Sequence, residues 1–238
     1  DPETYSDAVA FARIGEGSLG GKARGLAFMN SMILKHRLYD KHANVRIMIP
    51  RSVVIATDYF DDFIRLNGLK YIISQEFSDE EILSEFVSST VPAKLQQELK
   101  AYIQTVRTPL AVRSSSKLED SHYQPFAGIY STYMIPYVDN GDQMLRLLLK
   151  AVKSVYASVY FATSRAYLSS SQNLISEEKM AVIIQEVCGT EQDGLFFPTF
   201  SGVARSINYY PIGDEAPADG VCNIAMGLGK LVVDGGRT

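Results

Sequence analysis

The stretch that follows the Asp-Asn-Gly turn at residues 139–141 constrains the fold most, because it combines a helical period with unusual length. Its apolar residues recur every three or four positions, which is typical of an amphipathic helix. They are Met144, Leu148, Val152, Val155 and Val159. The pattern predicts one helix that runs to about Leu168. A helix of this kind must bury its apolar face against a second layer of structure.

Several β-branched runs are candidates for that second layer. They lie at residues 47–49, 53–55, 109–113, 129–135, 180–187, 202–207 and 221–226. Shorter helices are predicted at residues 22–38, 57–66, 78–87 and 92–106. Because helices and strands do not alternate regularly, we expect an α+β architecture with two subdomains and not repeated βαβ units. The predicted subdomains are residues 1–128 and 129–238.

Three of the predicted helices carry more specific expectations. In the 22–38 helix, the spacing places Leu26, Met29, Ile33 and Leu34 on one face. In the 57–66 helix, Thr57 is a candidate cap. The 78–87 helix opens on Ser-Asp-Glu-Glu, which has the form of a capping box.

The charge balance argues against nucleic acid as a partner. The chain of 238 residues has a formal net charge of -4. Release of counterions by basic residues supplies most of the affinity for nucleic acid, so a chain that binds it in bulk is expected to be basic. A small anion such as a nucleotide needs only a few well-placed cations.

Cysteine usage and hydropathy bear on where the protein works. Cys188 and Cys222 each lie in an apolar, strand-like stretch, which predicts two buried free thiols. There is no C-x-x-C pair to indicate a zinc site or a thioredoxin-like motif. Free thiols are typical of a reducing cytosol, so a cytoplasmic protein is expected. No apolar run reaches the roughly 18–20 residues that a membrane helix needs, so no membrane partner is expected.

A glycine-rich loop at residues 14–21 is the first candidate phosphate-binding feature. Residues 15–20 match G-x-G-x-x-G, but a dinucleotide fold also needs an acidic residue that closes a second strand about 20 residues further on. Asp40 lies in a polar stretch and not at a strand end. A Walker A loop fails as well, because Ala23 stands where Ser or Thr would bind magnesium.

The physical reasoning behind such loops still applies to Lys22. Glycines let backbone N–H groups approach an anion, and the following helix directs its N-terminal dipole toward it. A lysine in the first turn is unfavourable to the helix unless an anion is nearby. The alternative is a solvated lysine after a flexible turn.

A serine-rich segment after an apolar strand is the second candidate phosphate-binding feature. The strand delivers Arg113 to its end, and three serines at 114–116 follow in what is predicted to be a polar loop. A guanidinium offers a planar fork of donors that suits phosphate oxygens, and hydroxyl and N–H groups could complete a phosphate cradle. The alternative is a capped turn in which Arg113 pairs with Glu119 or Asp120.

These segments resemble a known family. Val112-Arg113-Ser114-Ser115, followed by Glu119-Asp120 and Phe126-Ala127-Gly128, is similar to the V-R-S-S…E-D…F-A-G signature of the nucleotide-binding domain of phosphoenolpyruvate synthase and pyruvate phosphate dikinase. The Leu-Gly-Gly-Lys run that ends at Lys22 resembles the opening G-G-K-x-x-x-L segment of that family. Further blocks follow in the family's order at residues 49–63, 152–167, 180–187, 201–204 and 227–229.

The resemblance implies an ATP-grasp-type fold, which holds ATP between two α+β subdomains. It implies that Lys22 and Arg113 are catalytic and contact the polyphosphate, with Arg113 steadying charge on the transferring group. The other nucleotide-binding residues that it implies are Ser114, Ser115 and Gly128 over the phosphates, and Gln185, Glu186 and Val187 as a hinge. The hinge backbone would meet adenine, with Glu186 near the ribose or amine. The alternative for the hinge is an ordinary buried strand.

The resemblance also implies cofactors and partners. Members of the family pass phosphate from ATP to a histidine on a separate swivelling domain, which carries it to an acceptor-binding domain of the same full-length protein. His36, His42 and His122 do not match that histidine segment. The Mg²⁺ ligands are expected downstream of Thr238, with none within this chain. We therefore expect a C-terminally truncated domain that is inactive alone, with pyruvate, a glucan or an antibiotic as the acceptor.

Two residues depart from the family's blocks. Lys230 replaces the acid of G-L-G-E, and Arg205 lies near the expected threonine of S-G-V-A-F-T. These departures leave open a non-catalytic ATP-grasp-like module for binding or regulation. A nicotinamide-dependent oxidoreductase, based on residues 15–20, is the remaining alternative.

Overall fold

The computed structural model describes residues 10–116, 130–170 and 178–229. The chain is a mixed α/β protein that forms two compact units, Asp1–Val187 and Cys188–Thr238. The subdomain boundary expected between residues 128 and 129 stays a prediction. Strands from both sides of that boundary belong to one sheet of the first unit.

A mixed five-stranded sheet forms the centre of the first unit. Its strands are β1 (Phe11–Ile14), β2 (Ser52–Ile55), β3 (Leu110–Ser116), β4 (Thr132–Ile135) and β5 (Met180–Glu186). Their order is β1-β2-β5-β3-β4, with β1 parallel to β2 and every other neighbouring pair antiparallel. The central strand β5 is buried except at its last residue, as its unbroken apolar run predicts. Residues 47–49, also predicted as a strand, do not form one.

The α-helices of the described residues are α1 (Gly20–Lys35), α2 (Thr57–Leu66), α3 (Asp79–Ser88), α4 (Ala93–Ile103), α5 (Gly141–Ala157) and α6 (Ala162–Ser170). Short 3-10 helices lie at Leu38–Asp40, Leu69–Ser74, Ser158–Tyr160 and Pro217–Asp219. The predicted bounds of α2, α3 and α4 are confirmed to within a few residues. The predicted capping box is also confirmed, because the Ser78 hydroxyl accepts from the Glu81 N–H at 3.2 Å and the Glu81 carboxylate accepts from the Ser78 N–H at 2.8 Å. None of these helices has the length and apolar character needed to span a bilayer.

The single long helix predicted after residues 139–141 is interrupted. Helix α5 ends at Ala157 and α6 begins only after a 3-10 turn. The Ser158 hydroxyl donates to the carbonyl of Val155 at 2.7 Å, and the Ser164 hydroxyl donates to the carbonyl of Ser158 at 2.6 Å. Such bonds compete with the regular hydrogen bonds of an α-helix. The apolar period therefore continues along the sequence, although the α-helix is interrupted.

The main hydrophobic core lies between one face of the sheet and helices α2 to α5. The predicted apolar face of α5 is buried there, including Leu148 and Val152, which are fully enclosed. Phe63 of α2 packs with ring centroids 5.7 Å from Phe86 of α3 and 5.5 Å from Tyr156 of α5. A fully buried side chain of this size contributes roughly 1.5–3 kcal/mol, so this core anchors β3 and β5 firmly from one side.

Helix α1 packs on the opposite face of the sheet through its first turns. Ala23 is fully buried in a small cluster with Val54, Ala181 and Ile183. The remainder of the helix is open: Phe28 and Met29 of its middle turns, like Leu34, are at least half exposed. Of the predicted apolar face, Leu26 packs against this cluster, whereas Met29 and Leu34 are exposed. Small residues make the contact, because they let the helix backbone approach the sheet closely.

The second unit contains two β-hairpins. They are β6 (Thr190–Gln192) with β7 (Leu195–Phe197), and β8 (Phe200–Arg205) with β9 (Val221–Met226). The sequence predicted β8 and β9 but missed β6 and β7. Cys188 and Cys222 are both exposed, so the prediction of buried thiols is wrong. Strand β9 pairs only with β8 among the described residues, and this two-stranded ribbon leaves the thiol of Cys222 in contact with solvent.

Candidate functional site

Strand β3 carries the Arg-Ser segment and extends further than the sequence predicts. It continues to Ser116, so the three serines belong to the strand and not to a loop. All three are fully buried. The reason is the neighbouring strand: β5 pairs with β3 along its whole length, from Leu110 opposite Glu186 to Ser116 opposite Met180. The hydrogen-bonded pairing with β5 thus continues past Arg113 and includes all three serines.

Ser115 ties the glycine-rich loop and the first turn of α1 to β3. Its hydroxyl donates to the carbonyl of Leu19 at 2.8 Å and accepts from the N–H of Ala23 at 3.0 Å. The second bond gives an N–H group in the first turn of α1 a side-chain acceptor on β3. The predicted contact of Ser115 with phosphate stays a prediction, but its hydroxyl already has two protein partners.

Gly20 makes the close approach of α1 to β3 possible. Its φ of +72° lies in the left-handed region, and a Cβ atom added there would sit 1.8 Å from the carbonyl oxygen of Ser115. Glycine is the residue that accepts both conditions, because it has no Cβ to strain or to overlap. Close packing of α1 on β3 thus gives a structural reason for glycine at position 20.

Lys22 lies in the first turn of α1, where it reaches β3. Its Nζ donates to the hydroxyl of Ser114 at 3.4 Å. No acidic residue occurs in this first turn, so the positive end of the helix dipole and the lysine charge reinforce each other. The structure therefore places Lys22 beside the residue that directly follows Arg113 in β3.

Arg113 lies on the sheet face that α1 covers in part. Its Nη1 donates to Oε1 of Gln185 in β5 at 3.4 Å, and its side chain is half-buried. Gln185, a predicted nucleotide-binding residue, is only 9% exposed. Two cavities of about 460 and 830 Å³ open on the first unit, and neither is lined by Lys22 or Arg113. Arg113 thus lies on the sheet face that carries α1, and Lys22 lies in the first turn of that helix.

The N–H groups of the glycine-rich loop are bonded to the start of α2. Those of Glu16 and Gly17 donate to the carboxylate of Asp58 at 2.9 and 3.1 Å, and that of Ser18 donates to the hydroxyl of Thr57 at 2.9 Å. A dinucleotide-binding loop would offer such groups to a pyrophosphate. Here a carboxylate of the chain itself takes that place. The N-cap of α2 is Ala56 and not Thr57, and the Thr57 hydroxyl accepts from the loop instead of capping the helix.

These bonds shift the acidity of Asp58. Burial of the carboxyl group raises its pKa, but the N–H groups of Glu16 and Gly17, with those of Asp58 and Tyr59, stabilise the carboxylate. The outcome is a pKa below the ordinary value for aspartate. The ionised side chain is therefore the form that holds the loop.

Asp58→Asn is expected to lower the free energy of unfolding by about 1 kcal/mol near neutral pH, because charged acceptors bind N–H groups more strongly and partial exposure weakens the effect. Since the folded-state pKa is depressed, this stabilisation is present above an unfolded-state pKa of about 3.9 and is lost as pH falls through the folded-state value. Urea unfolding at several pH values measures it. In acid, the wild type and Asp58→Asn should have the same free energy of unfolding.

Asp62→Asn is the matched control for this prediction. Asp62 lies on the same helix and forms an exposed ion pair with Arg65 at 2.6 Å. Exposed pairs contribute little to stability, so this variant should unfold like the wild type. A difference between wild type and Asp58→Asn that stays constant across pH would contradict the role assigned to the carboxylate.

The predicted hinge at residues 185–187 is held inside the sheet by groups that the sequence did not single out. Arg51 Nε donates to Glu186 Oε1 at 2.5 Å, and Thr108 Oγ1 donates to Glu186 Oε2 at 3.4 Å. The N–H of Glu186 donates to the carbonyl of Arg51, and the N–H of Val187 donates to the carbonyl of Pro109, both at 2.9 Å. The adenine contacts of this segment stay a prediction.

Sequence reasoning missed Arg51 because the pair spans 135 positions along the chain. Only the register of β2 with β5, in which Ser52 lies opposite Gln185, brings Arg51 next to Glu186. An isolated arginine before a short strand carries no signal of such a partner.

The remaining predicted residues divide between described and undescribed parts. Gly128, Glu119, Asp120, His122 and Lys230 lie outside the described residues. Arg205 is the exposed last residue of β8, opposite Val221. Within residues 10–116, 130–170 and 178–229, no group of three or more His, Cys, Asp or Glu side chains could hold a metal ion.

Comparison with known proteins places residues 16–238 in a family. The model of the pyruvate phosphate dikinase AMP/ATP-binding domain matches residues 16–238. The uncharacterized phosphotransferase YvkC of Bacillus subtilis is 27% identical over 234 residues, which cover 97% of this chain and 24% of that protein. Phosphoenolpyruvate synthase of Aeropyrum pernix is 24% identical over 238 residues, which cover 91% and 25%. The probable phosphoenolpyruvate synthase of Staphylothermus marinus is 26% identical over 214 residues, which cover 79% and 23%.

The match has a clear extent. The chain spans about a quarter of the length of these curated relatives, whereas the family model covers nearly all of this chain. The resemblance carried by the Gly-Gly-Lys and Val-Arg-Ser-Ser segments is confirmed. ATP binding is supported at the level of the family. The chain belongs to the family of pyruvate phosphate dikinase AMP/ATP-binding domains.

Proposed function

We propose that this chain is the ATP-binding part, of ATP-grasp type, of a phosphoenolpyruvate synthase-like phosphotransferase. In this proposal ATP phosphorylates a histidine on a separate swivelling domain of the full-length protein, which delivers the phosphate to an acceptor in a further domain. Lys22 and Arg113 hold the polyphosphate and neutralise the charge that develops during transfer.

The observation that carries the proposal is the fastening of α1 to β3. Gly20 and Ser115 fix the first turn of the helix on the strand, and Lys22 reaches Ser114 at 3.4 Å. Two cations, Lys22 and Arg113, are thus carried by elements that contact each other, with Lys22 at the positive end of a helix. Such an arrangement favours a multiply charged anion.

The same geometry limits which groups take part. The glycine-loop N–H groups of residues 16–18 are bonded to α2, so the cations and not this part of the loop are assigned to the phosphates. Arginine supplies a bidentate fork and lysine a point charge, which together suit the oxygens of adjacent phosphates. We assign no Mg²⁺ ligand among the described residues.

Transfer of label from ATP to the full-length protein tests the proposal. ATP labelled in its β- or γ-phosphate is expected to give a protein-bound phosphate that is labile to acid and stable to alkali, as phosphohistidine is. ATP labelled in its α-phosphate is the matched control and should leave the protein unlabelled. The proposal fails if neither β-labelled nor γ-labelled ATP labels the protein under conditions in which it binds ATP.

A further inference from the structure

Three polar side chains lie on one face of the neighbouring strands β2, β5 and β3. Ser52 pairs with Gln185 between β2 and β5, and Gln185 pairs with Ala111 between β5 and β3. Residues that pair across antiparallel strands point to the same face, and so does the residue two positions along the strand. Arg113 is two positions from Ala111, so it shares a face with Ser52 and Gln185.

Hydrogen bonds join these side chains in a single direction. Arg113 Nη1 donates to Gln185 Oε1 at 3.4 Å, and Gln185 Nε2 donates to Ser52 Oγ at 3.1 Å. Ser52 Oγ in turn donates to the carbonyl of Pro50 at 2.8 Å. A serine hydroxyl has one proton, so Ser52 has none left for Gln185 and can only accept from it.

This direction decides which end of the Gln185 amide faces Arg113. In the reverse orientation the amide oxygen would meet the lone pairs of Ser52, and the amide NH₂ would meet a guanidinium that can only donate. Ser52 is fully buried and Gln185 is nearly so, and the loss of a buried hydrogen bond is not readily compensated by water. The Ser52 hydroxyl thus holds the amide oxygen toward Arg113.

We propose that Ser52 is a positioning residue that sets the direction of the Arg113 guanidinium through Gln185. The inference rests on the proposed function, in which Arg113 holds the phosphates of ATP. A guanidinium fixed from one side by a neutral amide keeps its full charge and its other N–H donors for phosphate oxygens. Ser52 acts at one remove from the nucleotide and is not itself a catalytic residue.

Equilibrium binding of ATP and of AMP to the full-length protein tests the role of Ser52. Ser52→Ala is expected to raise the Kd for ATP about five-fold and to leave the Kd for AMP unchanged, because AMP lacks the phosphates assigned to Arg113. Ser52→Thr keeps the hydroxyl and should restore ATP binding. If the substitution only destabilised the sheet, the Kd values for ATP and for AMP would both rise.

Arg113→Ala distinguishes failure of this inference from failure of the proposed function. If Ser52 acts through Arg113, Ser52→Ala causes no further loss in the Arg113→Ala background. The inference alone is overturned if the two losses add, or if Arg113→Ala weakens ATP binding and Ser52→Ala does not. Both are overturned if Arg113→Ala leaves ATP binding unchanged. Should Ser52→Ala fail to fold, Gln185→Met removes the acceptor at similar volume and permits the same comparison.

Discussion

Replacing Gly20 with alanine is expected to destabilise the first unit by about 3 kcal/mol or more. The added Cβ would lie 1.8 Å from the backbone oxygen of Ser115, at a φ of +72° that side chains rarely adopt. No rotamer change can relieve an overlap between a Cβ atom and backbone. The helix must therefore lift from β3, and the bonds of Ser115 to Leu19 and Ala23 are lost with it.

Urea unfolding of the wild type and the variant measures this effect, and Gly25→Ala is the matched control. Gly25 lies in the same helix, and an added Cβ there has nothing within 4 Å. Alanine is a better helix former than glycine, so this variant should be more stable by roughly 0.5–1 kcal/mol. Opposite signs for the two glycines are the expected result. An unchanged unfolding midpoint for Gly20→Ala would show that α1 does not need this contact.

Arg113→Ala and Lys22→Ala are each expected to lower the rate of phosphoryl transfer in the full-length protein by about 10³-fold, as removal of a charge-stabilising group commonly does. Arg113→Lys keeps the charge but loses the planar fork, so an intermediate rate is expected. Circular dichroism should be unchanged in all three, because both side chains are half-buried and lie outside the main hydrophobic core.

Two exposed cations serve as controls for this prediction. Lys35 lies in the last turn of α1 and Arg46 in the following loop, and alanine at either position should leave the rate unchanged. Near-normal transfer in both Arg113→Ala and Lys22→Ala would falsify the assignment of the phosphate site. A loss in the Lys35 or Arg46 variant would instead point to a general effect of net charge.

In the first unit, several polar groups that the sequence predicts to bind a nucleotide form hydrogen bonds within the protein. The Asp58 carboxylate occupies the N–H groups of the glycine-rich loop, and the Ser115 hydroxyl occupies the start of α1. Glu186 is paired with Arg51 at 2.5 Å. These contacts hold together the elements that carry Lys22 and Arg113, and the proposed recognition of a polyphosphate depends on such pre-organisation.

Sequence patterns predicted the secondary structure correctly where the determining contacts lie within a single element. The capping box at Ser78 and Glu81 identified the start of α3, because both of its hydrogen bonds are made within four residues. The period of Met144, Leu148 and Val152 identified the buried face of α5. The ordered blocks, from Gly-Gly-Lys to the last glycines, identified the family.

The sequence by itself thus determined the family, most helices and the two cations that we assign to ATP. Only the tertiary structure decided that Ser114 to Ser116 belong to a strand, because pairing with β5 comes from residues about 70 positions away. It also decided which residues of α1 are buried, since the small residues at 20, 21 and 23 permit close contact with the sheet while Met29 and Leu34 stay exposed. The register between strands that are distant in sequence leaves no pattern in either strand alone. For this reason only the tertiary structure identified the hydrogen-bond partners of Arg51, Ser52 and Asp58.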